Sequence, residues 1–204
     1  MIAQPDRSIY LASRSPRRRE LLAQIGVGFE VLEVDVDEAV AAGESARSYV
    51  ERLARAKAEA GWRRMQQEKL PNSPVLGVDT TVAVDDRILG KPADRRVAVE
   101  MLHALSGRCH EVLTAVAIKQ DSKFEGAVSV SEVEFKALSE EEIRQYVGTG
   151  ECDDKAGAYA IQGRAAMFVR ALRGSFSGVM GLPLFETAQL LDRIGTQRER
   201  RNPR

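Results

Sequence analysis

The chain has 204 residues, enough for one sizeable domain or two small lobes sharing a sheet. Thirty Lys and Arg balance thirty Asp and Glu, which excludes a broadly basic face for nucleic acid or membrane. Cys109 and Cys152 form no CxxC pair and have no ligand set near them beyond His110, which argues against structural zinc and a disulfide framework and fits a reducing cytoplasm. No apolar run approaches a membrane span, and Gln4-Pro5-Asp6-Arg7 is no signal h-region, so a cytoplasmic location is expected.

Ile9 to Ala12 reads as a strand, and Ser15-Pro16 as the N-cap and N1 of a helix ending near Gly26, with Leu21, Leu22 and Ile25 inward. Arg17, Arg18 and Arg19 then crowd a helix start that its own dipole and free N–H groups already make positive. Either they form a solvated basic turn, or an anion such as phosphate binds there. Phe29 to Val34 alternates as a second strand and runs into the acidic Asp35-Val36-Asp37-Glu38.

Ser45 caps a long helical pattern reaching about Glu68. At 100° per residue, Ala46, Tyr49, Val50, Leu53 and Ala60 share a stripe, and Lys57 falls inside it, where it must snorkel or meet an anion. Val75 to Val84 is a strand with Asp79 at its middle, a residue disfavoured in strands and costly to bury without a partner or metal. It either caps a neighbouring turn or does chemistry. Asp85-Asp86 makes a tight turn, and Pro92 stiffens the loop that carries Lys91.

A helix is expected over Asp94 to Leu105, then a hairpin of Glu111 to Lys119 and Phe124 to Lys136 joined by 120–123. Ser139 opens a further helix to Val147, with Glu140, Glu141 and Glu142 at its positive end. Gly148 to Gly163 is a long loop of small residues whose polar handles are Asp154, Lys155 and Gln162; such loops usually bind or move. Ala166 to Leu172 reads as a strand, 174–178 as a turn, and Pro183 to Ile194 as a final helix, with a disordered basic tail from Gly195 to Arg204. The single domain is placed at 1–194. Alternating strands and helices around an antiparallel hairpin make an α/β protein with a mixed sheet. Neither GxGxxG nor a Walker A pattern is present.

Cations at Arg17, Arg18, Lys57 and Lys91, together with carboxylates at Glu38 and Asp79, supply the parts needed to hold a polyphosphate and a Mg²⁺ or Mn²⁺ ion. The motifs carry this further. Ala-Ser-x-Ser-Pro-Arg-Arg-x-Glu-Leu-Leu at 12–22, Gly-x-Asp-Thr at 77–80, Lys-Pro at 91–92 and Leu-Ser-Gly at 105–107 resemble the Maf family of nucleotide pyrophosphatases. Asp-Lys-Ala-Gly-x-Tyr-x-Ile-Gln-Gly at 154–163 and Gly-Leu-Pro-Leu at 181–184 extend the likeness over residues 9 to about 194.

The resemblance implies an elongated, bent mixed sheet flanked by helices, two lobes with a central cleft, like the inosine triphosphate pyrophosphatases. It implies metal-dependent hydrolysis of dTTP and UTP to monophosphate and pyrophosphate, and it suggests a homodimer. By motif position Asp79 matches the water-activating base, and Glu38 the carboxylate that helps hold metal and water. Ser13, Arg17, Arg18, Lys57 and Lys91 match the phosphate-contacting set, and Arg17, Thr80 and Gln162 the positions that sort substrates. Ala160 stands where the family usually has glycine, which strains the loop if that position needs a positive φ. Asp35 and Asp37 read first as a solvated acidic loop and second as candidates for the metal shell. The other readings are a pyrophosphatase acting on 7-methyl-GTP or modified nucleotides, a non-enzymatic regulator of septum formation, and a nucleic-acid-binding module; zero net charge and the lack of an aromatic platform count against the last.

Overall fold

The computed structural model describes residues 8–85 and 87–201, with side chains as far as Ile194. Residues 202–204 of the expected tail lie outside the described residues. Seven strands form one mixed sheet: β1 (Ser8–Ala12), β2 (Gly28–Val31), β3 (Val75–Val84), β4 (Arg87–Leu89), β5 (Cys109–Gln120), β6 (Lys123–Phe135) and β7 (Val169–Arg173). Their order is β2-β1-β3-β5-β6-β7, with β4 paired to β3. The β1 pairings with β2 and β3 are parallel and the rest are antiparallel.

The helices are α1 (Pro16–Gln24), α2 (Ala46–Gln67), α3 (Arg95–Leu105), α4 (Glu140–Gly148), α5 (Phe176–Met180) and α6 (Leu184–Arg201). Of the expected caps, Ser45 accepts from the Ser48 N–H and Ser139 builds a full capping box with Glu142, whereas Ser15 makes no side-chain cap bond; Asp94, expected as the first residue of its helix, caps it by accepting from the Val97 N–H. Two segments depart from expectation. Residues 164–168 are a 3₁₀ turn, because Ala165 and Phe168 both point inward, a spacing of three that suits a 3₁₀ turn and not a pleat; β7 starts only at Val169. The 174–178 turn becomes α5, because Ser175 accepts from the Gly178 N–H and opens a helical turn. The last helix also continues past Gly195 to Arg201.

One face of β3 and β5 carries two apolar clusters. Leu76, Val78, Val116 and Ile118 pack with α1 and α6 at one end. Val82, Val84 and Val112 pack with α3, α4 and residues 158–168 at the other. Between them sits the cross-strand pair Thr80–Thr114, a polar seam that divides the two lobes expected from the motifs. The long strands run through both.

The opposite face is covered by α2. Its packing stripe is Ala54, Ala58 and Gly61 rather than Ala60, which is only half-buried. Small residues are needed because a Cβ on Gly77 of β3 would lie 2.2 Å from the Ala54 carbonyl oxygen and 2.4 Å from the Ala58 nitrogen. Helix and strand backbones therefore touch directly, and this contact seats the middle of α2 over the middle of β3.

Candidate active site

A break in the sheet makes the cleft. On one edge of β3, pairing with β1 stops at Ala12↔Gly77, and pairing with β4 begins only at Val82↔Leu89. Residues 78–81 have no strand partner on that edge. The two flanking strands end in turns that face the gap: Ser13–Ser15 from β1, and Gly90–Lys91 from β4. The result is a cleft of about 430 Å³, lined by Ser13, Arg17, Arg18, Glu38, Lys57, Asp79, Thr80 and Lys91 among others. Eight of the nine site residues expected from the sequence therefore meet in one place. Gln162 is exposed and does not line the cleft. Its loop does reach the cleft through Asp154, Lys155, Ala156 and Tyr159.

Asp79 and Thr80 are consecutive on a strand and so point to opposite faces. Asp79 faces α2, where Lys57 Nζ lies 2.6 Å from Asp79 Oδ1 and 2.6 Å from Glu38 Oε1. The stripe lysine thus meets two anions. The side chains of Lys57 and Asp79 are 13% and 8% exposed, and that of Glu38 is 44% exposed. Burial raises the Asp79 pKa, and the opposing pull of Lys57 and Arg18 does not cancel it. Burial also raises that of Glu38, but the hydrogen bond and charge of Lys57, with Lys91 and Arg18 behind them, leave it below the usual value. Two carboxylates on one lysine are thus driven apart, the buried one toward the protonated form.

Helix α2 also holds the Glu38 loop. Tyr49 Oη donates to the Glu38 carbonyl at 3.0 Å, and Arg52 donates to the Ala39 carbonyl at 2.9 Å while pairing with Glu44 at 2.7 Å. Burial, with the nearby Asp79 and Glu38 charges, pushes the Tyr49 phenol up to about 12, so it stays a donor.

On the other face Thr80 meets α1. The Arg18 guanidinium donates to the Gly181 carbonyl at 2.8 Å, to Ser13 Oγ at 3.1 Å and to Thr80 Oγ1 at 3.2 Å. Thr114 Oγ1 lies 2.9 Å from Thr80 Oγ1 and donates to the Gly178 carbonyl at 2.8 Å. Arg18 is therefore a fixed cation. Arg17 and Lys91 make no ion pair among the described residues. Ser15 makes no side-chain cap; instead its own N–H donates to Ser13 Oγ, and the first turn of α1 holds no acid. That leaves an uncapped, positive helix start inside the cleft, the arrangement that receives an anion.

Sequence reasoning left Tyr49, Lys155 and Gly181, whose carbonyl accepts from Arg18, out of the site. Tyr49 looked like core, and only the carbonyl it meets reveals more. Lys155 pairs with Asp154 on the cleft wall. Ala160 has no positive φ; the left-handed residues of this loop are Gly150 (φ 73), Gly157 (φ 67) and Ala158 (φ 57), so glycine's freedom is not required at 160. Asp35 lines the cleft, whereas Asp37 is absent from the lining and its carboxylate accepts from the Ala39 N–H.

Glu38 and Asp79 bring two hard oxygen donors to one point, the number Mg²⁺ or Mn²⁺ commonly takes from protein when phosphates and water complete the shell. The donor set fits such an ion. No cluster of three or more His, Cys, Asp or Glu side chains among the described residues could hold a metal alone. No helix among them is long and apolar enough to cross a membrane.

Comparison with known proteins places the chain. It is 58% identical over 196 residues to the dTTP/UTP pyrophosphatase of Aromatoleum aromaticum, covering 92% of this chain and 95% of that one. It is 52% identical over 190 residues to the dTTP/UTP pyrophosphatase of Chromobacterium violaceum, covering 93% and 96%. Among solved structures it is similar to the Staphylococcus aureus Ham1 protein, at 15% identity and TM-score 0.42 over 63% of this chain and 72% of that one. The family model described as Maf-like protein matches residues 8–194. The chain belongs to the Maf-like protein family.

Proposed function

We propose that this protein hydrolyses dTTP and UTP at the α–β phosphoanhydride, releasing the nucleoside monophosphate and pyrophosphate, with a divalent cation held by Glu38 and Asp79. The observation that carries this reading is the single cleft in which a positive helix start, the cations of Arg17, Arg18, Lys57 and Lys91, and two convergent carboxylates face one another. Relatives bearing that activity by name match more than nine-tenths of the chain.

Arg17, Lys91 and the free amides of α1 bind the polyphosphate, while Arg18, locked to Ser13, Thr80 and Gly181, supplies fixed positive charge and moves little as charge builds on the leaving pyrophosphate. Asp79 takes the proton from the attacking water. Its raised pKa makes it a better base than an exposed aspartate, and the carboxylate is released from its ion pair when Lys57 turns toward phosphate. Glu38 orients the water from the Tyr49-held loop. A cation bound at the two carboxylates would lower the pKa of its water and neutralise phosphate charge.

Base selection falls to Arg17 and Thr80 in the cleft and to Gln162 on the loop that forms its far rim. The substrate is free nucleotide in the cytoplasm, and residues through Ile194 form the working unit. Product analysis on dTTP, UTP, CTP and 7-methyl-GTP with Mg²⁺ or Mn²⁺ tests the reading. Pyrophosphate and monophosphate from dTTP or UTP are expected. Orthophosphate release, or preference for 7-methyl-GTP, overturns it.

A further inference from the structure

Lys57 Nζ sits 2.6 Å from both Asp79 Oδ1 and Glu38 Oε1, so it stands between the two carboxylates that would hold a divalent ion. An ammonium and a metal ion cannot share that point, and side by side they repel strongly in a site this buried. We infer that Lys57 is a resident cation which holds the metal site closed in the free protein, and that metal loading is an exchange in which the ammonium leaves the carboxylates for the triphosphate. This rests on the assignment of Glu38 and Asp79 as metal ligands.

Three features of the chain support an exchange over a fixed pair. The lysine stem comes from α2, whose backbone is clamped to β3 at Gly77, so the ammonium can swing while its anchor stays still. Glu38 is 44% exposed on a loop and can follow a new partner, whereas Asp79 is fixed in the sheet. The arriving phosphate faces Arg17 and Lys91, on either side of the gap, and brings negative charge within reach of the displaced ammonium. Metal and nucleotide should then bind cooperatively, because the nucleotide offers Lys57 a new partner as the metal removes its old ones. The exchange also spares the free protein two unpaired carboxylates.

The test is a titration of Mn²⁺ alone into nucleotide-free protein, read by the electron paramagnetic resonance signal of free Mn²⁺. Lys57→Met should bind Mn²⁺ at least about tenfold more tightly than wild type, and adding Asp79→Asn to it should abolish the gain. Equal or weaker binding by folded Lys57→Met overturns the exchange. A second measurement needs no variant: acylation of the Lys57 amine in wild type, followed by mass spectrometry, should rise several-fold on adding Mn²⁺. Unchanged labelling at a Mn²⁺ concentration that saturates the nucleotide-free protein in the titration overturns the exchange while leaving the metal assignment intact. Turnover that needs no divalent ion at all removes both.

Discussion

Gly77→Ala tests how the site is positioned. The new Cβ would stand 2.2 Å from the Ala54 carbonyl oxygen, 2.4 Å from the Ala58 nitrogen and 3.0 Å from the Ala58 Cα. Each of these neighbours is backbone, so no side chain can rotate away, and α2 must lift from β3 by about 1 Å to reach ordinary contact. Overpacking of this kind costs about 1–3 kcal/mol, and a rigid backbone contact belongs at the upper end. The lift also carries Lys57 off Asp79 and loosens the Glu38 loop, and a misplacement of about 1 Å in a site can cost about 10²-fold in rate. Urea unfolding should show a loss near 3 kcal/mol, and dTTP turnover should fall by about two orders of magnitude in protein that is still folded. Gly148→Ala is the control: nothing lies within 4 Å of its Cβ and it ends α4 outside the cleft lining, so stability should hold or rise slightly. The packing argument is wrong if Gly77→Ala unfolds with wild type or keeps full turnover.

Other consequences can be measured separately. His110 is 3% exposed, and burial lowers its pKa from 6.5 to about 4. The unfolded chain therefore binds a proton that the folded one refuses as pH falls from 6.5 to about 4, so stability drops across that window. At about 1.4 kcal/mol per pH unit the drop is about 3 kcal/mol, and a His110→Gln variant should lack it in urea melts at matched pH. Tyr49→Phe deletes the bond to the Glu38 carbonyl; kcat should fall several-fold with melting temperature little changed, and an equal loss of both would make the tyrosine purely structural. Arg18→Lys cannot make the three bonds that join α1, β3 and the Gly181 turn, so KM for dTTP should rise about tenfold or more; unchanged KM excludes Arg18 from phosphate binding. Gln162→Ala should alter the ratio of dTTP to CTP turnover, and an unaltered ratio removes it from base choice.

Much of the site was legible because its residues break local rules. Asp79 interrupts a strand of β-formers, Lys57 interrupts an apolar helix stripe, and three arginines load the wrong end of a helix. The first two resolve each other across 22 residues, and Arg18 is held by Ser13, Thr80 and the Gly181 carbonyl. The gap in the sheet was not legible, because residues 75–84 read the same whether or not their edge is paired; pairing depends on where β1 stops and β4 begins. The Ala54–Ala58–Gly61 stripe was missed for a related reason: hydrophobic periodicity scores side chains, whereas here the contact is backbone to backbone. The Thr80–Thr114 seam is likewise a property of strand register. Residues 166–168 looked like the start of a strand because their apolar content is high, and only the inward pair Ala165 and Phe168 shows the spacing of three.

The most direct test of the catalytic account is dTTP binding and turnover by Asp79→Asn. The substitution keeps shape and removes the basic oxygen, so the variant should bind dTTP within a few-fold of wild type while losing about 10²–10⁴-fold in turnover, the range of a general base. Turnover within a few-fold of wild type would contradict the assignment of Asp79 as the base.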